Sequence, residues 1–257
     1  MNSTLISREK PLLAACAVLF AASSAGTIYL CQSMSGGMAM PGGWTMSMAW
    51  MSMPGQKWFT AAAMFLGMWT AMMVAMMLPS LIPTLFHYNR FLREAGTVHS
   101  GALTTLAGAS YFLVWTVVGV AAYALGVIAT KAEMRSGALA QFVPVATGAV
   151  VLLAGCFQLT SWKSRRLARC RDVAVCSLQI RPSRGSACQQ GIQWGIDCGL
   201  CCLGFMAALL VTGVMNLVTM AILATGVAAE RAVPNPQHIA RIAGILLIVI
   251  GTFMMAR

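Results

Sequence analysis

Apolar residues run through this chain in long blocks broken by short polar or basic segments. The blocks have no two-residue alternation, and several are about 20 residues long, the length a helix needs to cross a hydrocarbon layer. Six spans are predicted, at about Pro11–Leu30, Trp58–Leu78, Ala102–Thr130, Phe142–Trp162, Cys198–Ala228 and Ile239–Met255. The second is expected to close at Pro79-Ser80-Leu81-Ile82-Pro83, where two prolines each remove a backbone donor. Gly191–Asp197 is expected to lead into the fifth. The predicted class is all-α, a polytopic membrane helix bundle forming a single domain over 1–257.

Composition agrees. Hydrophobic residues make up 59% of the 257 residues and charged residues 9%, against roughly 25% charged in a soluble domain. The basic balance of +11 is better explained by the positive-inside rule and anionic headgroups than by nucleic acid, which is excluded as a partner. With the N-terminus inside, twelve of the seventeen Lys and Arg residues fall in inner segments, Arg257 among them, and five in outer ones. Both termini are therefore expected in the cytoplasm of a multi-pass protein of the bacterial inner membrane. Nine cysteines, an odd number in or beside apolar spans, do not read as a secreted disulfide framework.

Two loops stand apart. The outer loop, 31–56, is rich in Met, Gly, Ser and Trp and has little aliphatic content, so it is expected to stay mobile unless it binds something. The inner loop, 163–190, is basic and carries Cys170, Cys176 and Cys188.

The chemistry lies in sulfur. Six methionines fall within the fourteen residues Met64 to Met77. Met64, Met68, Met72 and Met76 are spaced i, i+4 along one side of a helix, and Met73 and Met77 form an adjoining row. Each i, i+4 step drifts about 40° around the axis. Met34, Met38, Met40, Met46, Met48, Met51 and Met53 fill the outer loop in MxM and MxxxM patterns. Thioethers suit Cu(I) far better than Zn, Mg or Ca, and they bind without losing a proton. On the fifth span Cys198, Cys201 and Cys202 share a face, with Met206 one turn beyond. Three thiols and a thioether there would hold Cu(I) or Zn tightly. The predicted topology lets this cluster face Met76 and Met77 across a helix pair. The competing reading is packing: methionine fills irregular apolar gaps, and cysteine is a small buried filler.

Asn216, Gln158 and Thr160 are expected to make interhelical hydrogen bonds, Asp197 to serve as a cap or a ligand, and His87, His99 and His238 to be solvated. No HExxH, GxSxG or phosphate-binding Gly-Lys-Ser/Thr pattern occurs, so zinc proteases, serine hydrolases and ATP-driven pumps have no support and a non-enzyme is favoured.

Three blocks in order, MWTAMMVAMMLPS (Met68–Ser80), FQLTSWKSRRLARCR (Phe157–Arg171) and the Cys-rich GIQWGIDCGLCCLGF…GVMN…AER segment (Gly191–Arg231), resemble a prokaryotic family of predicted metal-binding integral membrane proteins of unknown function. The resemblance covers Trp58 to the C-terminus. It implies ligands at Met72, Met73, Met76, Met77, Cys170, Cys198, Cys201 and Cys202. Arg166 stands where the family has its first inner-loop cysteine, and Trp194 where it often has histidine.

The expectation is a Cu(I)-handling membrane protein that transports copper, stores it or delivers it to a cuproenzyme. Copper would be captured by the outer loop and passed along Met64–Met77 to the thiols. Expected partners are membrane lipid and a periplasmic copper protein or membrane cuproenzyme, with an oligomer or larger complex left open. Two alternatives stand beside it: a metal-containing subunit of a membrane oxidoreductase, and a metal-free structural subunit.

Overall fold

A computed structural model describes residues 3–33, 37–40, 44–47, 50, 57–171, 183–233 and 235–256. The described chain is a helical bundle of α1 (Ser3–Ser33), α2 (Trp58–Glu94), α3 (Ser100–Arg135), α4 (Gly137–Gln158), α5 (Ser161–Arg171), α6 (Arg184–Thr212), α7 (Leu217–Ala232) and α8 (Pro236–Ala256). Six of these (α1–α4, α6 and α8) are long and apolar enough to cross a membrane.

One part of the outer loop is ordered as a ribbon. Strands β1 (Gly37–Met40) and β2 (Trp44–Ser47) pair antiparallel, with Met38 opposite Met46 and Met40 opposite Trp44. Trp50 ties the loop to the bundle: its ring lies 5.0 Å from that of Phe65 and fills the notch left by Gly126 on α3.

The second span does not end at Pro79. α2 runs on through Pro79 and Pro83 to Glu94. Each proline forfeits one intrahelical bond, but Ser80, Leu81, Thr84, Leu85, Tyr88, Asn89 and Leu92 are buried in this second half. Tertiary packing therefore carries the helix past both breakers. It stops where Gly96 takes a positive φ of 72° and Thr97 N–H donates to the Leu92 carbonyl at 3.0 Å.

α6 starts fourteen residues before the expected span. Ser183 and Ser186 form a reciprocal cap, Ser186 N–H donating to Ser183 Oγ at 3.1 Å and Ser183 N–H to Ser186 Oγ at 3.0 Å. The expected fifth span, Cys198–Ala228, is in fact two helices. Gly213, at φ 112°, ends α6. The Asn216 carboxamide oxygen accepts from Val218 N–H and Thr219 N–H, both at 3.1 Å, and starts α7. Asn216 is thus a helix cap, not an interhelical bond. Thr160 also bonds locally, to the Phe157 carbonyl at 2.7 Å.

This break changes the order of crossings. α2 and α3 are antiparallel: Trp69 Nε1–H donates to the Trp115 carbonyl at 2.8 Å, while Gly108 sits against Leu85. α3 and α6 run parallel, Gly191 against Ala107 and Gly195 against Tyr111 and Val114. α4 returns from the far end of α3 to bring Gln158 and Lys163 beside α6. α7 then returns from the far end of α6, about 24 Å in 16 residues. α8 lies antiparallel to α4, with Gly155 against Gly244 and Gly148 against Gly251. Ala256 consequently lies at the end of the bundle opposite the Glu94–Ser100 turn. The six-span reading put the C-terminus and that turn on one cytoplasmic side. Six helices are long enough and apolar enough to cross, as expected, but the stretch read as the fifth span is a hairpin of α6 and α7 that reverses the chain once more before α8.

Candidate functional site

The core is a sulfur-rich seam between α2 and α6, and its residues come together through helix periodicity. Met68, Met72, Met73, Met76 and Met77 on α2 and Cys198, Cys201, Cys202 and Met206 on α6 are all buried. At its centre Cys198 Sγ lies 3.9 Å from Met77 Sδ and 4.0 Å from Cys202 Sγ. The Tyr111 hydroxyl, from α3, donates to Cys198 Sγ at 3.0 Å. The i, i+4 step within α6 aligns Cys198 with Cys202, and the crossing with α2 supplies Met77.

Met64 does not join the seam. It is 49% exposed, because the drift of the i, i+4 row carries it off the face that holds Met68, Met72 and Met76. In the outer loop Met38, Met40 and Met46 lie on the ribbon, and Met34, Met48, Met51 and Met53 lie outside the described residues. Cys176 does too.

Charged groups surround the thiols. Lys163 on α5 and Glu230 on α7 form an ion pair at 2.8 Å, each side chain 1% exposed. Gln158 bridges them, accepting from Lys163 Nζ and donating to Glu230 Oε1 at 3.2 Å. Gln158 therefore does make the interhelical bond expected of it. The ammonium also sits 5.1 Å from the Phe205 ring centroid. Asp197 accepts from Arg166 at 3.5 Å and from Gln193 Nε2 at 3.1 Å, so it anchors α5 to α6 and is neither a cap nor part of the sulfur set. Arg231 lies within electrostatic reach of Cys198, Cys202, Cys170 and Tyr111. Its Nε is buried and meets no hydrogen-bond partner.

Cys170, near the end of α5, faces Cys201. Interaction with that sulfur, and burial second, hold the Cys170 thiol well above its ordinary range. The described cysteines are free thiols. Among the described residues no three His, Cys, Asp or Glu side chains are grouped to hold a metal. His87, His99 and His238 are exposed.

Sequence reasoning missed Tyr111, the Lys163–Glu230 pair and Arg231. Nothing marks Tyr111 among the aromatic residues of α3. From the sequence Lys163 reads as a charge of the basic inner loop, 163–190, and Arg231 as a residue beyond the end of the fifth span. The signal was Gly213 followed by Asn216, a stop and a start three residues apart, which folds Glu230 and Arg231 back to the level of the cysteines.

Residues 66–254 match the PpoB2 family of copper chaperones. The chain belongs to that family. Its role is therefore in copper handling, and the matched region contains the buried seam, α5 and the α6–α7 hairpin. No curated protein matches, and no solved structure matches.

Proposed function

We propose that this protein carries Cu(I) within a membrane, holding it at a buried site made by Met77, Cys198 and Cys202. One observation carries the reading. Metal–sulfur bonds of about 2.3 Å, the length a d¹⁰ ion makes to thiolate, place the sulfurs of a trigonal site about 4.0 Å apart. The two separations measured from Cys198 are 3.9 and 4.0 Å. Two thiolates and a thioether, all buried in the bundle, form a soft donor set that favours Cu(I). Met68, Met72 and Met76 continue the sulfur along α2 toward the ribbon-bearing end. Weak, exchangeable thioethers leading to stronger thiolates give copper a downhill route to the site.

The crossing order supports an orientation. With the Glu94–Ser100 turn and α5 in the cytoplasm, Arg231 and Arg241 join the inner residues and Arg257 the outer ones. The inner side then holds thirteen of the seventeen Lys and Arg residues, a stronger inside bias than the six-span order allowed. The Met ribbon faces the periplasm in this arrangement, and a periplasmic copper protein or membrane cuproenzyme is the exchange partner.

The test is metal analysis of the full-length protein, purified in detergent under reducing conditions and loaded with Cu(I). About one copper per chain is expected at this site in the wild type. C198S and M77L should lose it, and M64L should keep it. A wild type that retains no copper, or C198S and M77L variants that bind as the wild type does, would overturn the reading.

A further inference from the structure

The buried hydroxyl of Tyr111 has a sulfur of the site as its partner. Tyr111 is 1% exposed and Cys198 0%, and the phenolic O–H donates to Cys198 Sγ at 3.0 Å. Cys198 is the sulfur that both close separations share, 3.9 Å to Met77 Sδ and 4.0 Å to Cys202 Sγ. Its side chain turns about one bond with three staggered wells. A change of well would carry Sγ about 3 Å away and break both separations. It would also take the sulfur from the phenol in a buried setting, where an unmet hydroxyl is costly. The hydrogen bond therefore favours the one well from which Cys198 faces both other sulfurs.

We infer that Tyr111 is a positioning residue for the copper site. Its hydroxyl holds Cys198 Sγ where Met77 and Cys202 can share an ion with it, and so sets how long Cu(I) is retained. The inference rests on the proposed function. A hydrogen-bond partner that orients a metal ligand from behind is worth about 10–100-fold in metal affinity. Tyr111 acts through Cys198 and need not touch the metal.

The packing of α3 on α6 builds the position. Gly191 and Gly195, one turn apart on α6, sit against Ala107, Ser110, Tyr111 and Val114 of α3. At Gly195 a Cβ would meet Val114 Cβ at 2.8 Å and the Tyr111 carbonyl oxygen at 3.1 Å. Small residues there let the two backbones approach closely, and the Tyr111 hydroxyl reaches Cys198, one turn on from Gly195. The Phe112 ring stands edge-on to the Tyr111 ring, with centroids 5.0 Å apart, and helps to fix its plane.

The experiment compares wild type, Y111F and Y123F as full-length protein in detergent. Anaerobic chelator competition gives the Cu(I) affinity, and transfer to excess chelator gives the release rate. The copper X-ray absorption edge reads how many sulfurs hold the ion. Y111F removes one oxygen and keeps the ring. It should weaken Cu(I) by about tenfold, chiefly through faster release, and move the edge from a three-coordinate toward a two-coordinate form as Cys198 leaves its well. Y123F makes the same change on the same helix, at a ring that packs on Phe65, and should match wild type in all three readings. A Y111F that binds and releases Cu(I) like wild type would overturn the inference, as would a loss shared equally by Y123F. So would a weaker Y111F whose edge is that of wild type, since altered packing alone would lower affinity without changing the ligands. Failure of the proposed function shows separately, as a wild type with no Cu(I) affinity.

Discussion

Removing either member of the Lys163–Glu230 pair should destabilise the protein far more than removing both. The pair is 2.8 Å long with each side chain 1% exposed, so either partner alone is a buried charge without compensation. Breaking such a pair costs about 3–5 kcal/mol. K163M leaves Glu230 with only the Gln158 amide, and E230M leaves Lys163 with only Gln158 and the Phe205 face. In K163M/E230M no buried charge of this pair remains. The residual cost is the Gln158 amide, which loses both partners, about 1–3 kcal/mol. Unfolding in mixed micelles by SDS titration, followed by tryptophan fluorescence, gives the three differences. The single variants should each lose about 3–5 kcal/mol and the double variant less than either. Losses that simply add, or single variants indistinguishable from wild type, would refute the argument that the pair is desolvated and mutually dependent.

Two further outcomes follow from the backbone. A256C should react with a membrane-impermeant maleimide applied to intact cells and V98C should not; the reverse pattern, or equal labelling, would exclude the proposed orientation. G155A should lower stability by about 1–3 kcal/mol in the same SDS titration, because a Cβ there would meet the Gly244 carbonyl at 2.7 Å and the Ile248 nitrogen at 2.8 Å; no loss would mean that α4 and α8 can separate freely.

Much of the fold was legible because its dominant signals are local. Apolar runs of span length show α1–α4 and α8 directly, and the methionine and cysteine spacings define faces that depend only on helix period. What escaped were features decided by packing. Pro79 and Pro83 read as a terminus, yet the burial of Leu81, Leu85, Tyr88 and Leu92 against neighbouring helices outweighs two lost hydrogen bonds. Met64 fits the i, i+4 row as well as Met68 does, and only the placement of α1, α3 and α7 around α2 decides which is covered. In the site, the meeting of Met77 with Cys198 follows from two faces and a crossing, but Tyr111 and Lys163 arrive from helices whose partners no spacing reveals.

The short interruption Gly213–Asn216 links these failures, since it sets both the direction of α8 and the return of Glu230 to Lys163. Without the turn, the apolar run from Cys198 would continue as one span and carry Glu230 and Arg231 to the far end of the bundle, with Lys163 left buried and unpaired. With it, Glu230 returns to the level of α5 and neutralises Lys163. The break in the helix therefore decides whether the buried Lys163 ammonium meets a carboxylate, which the methionine and cysteine spacings alone do not reveal.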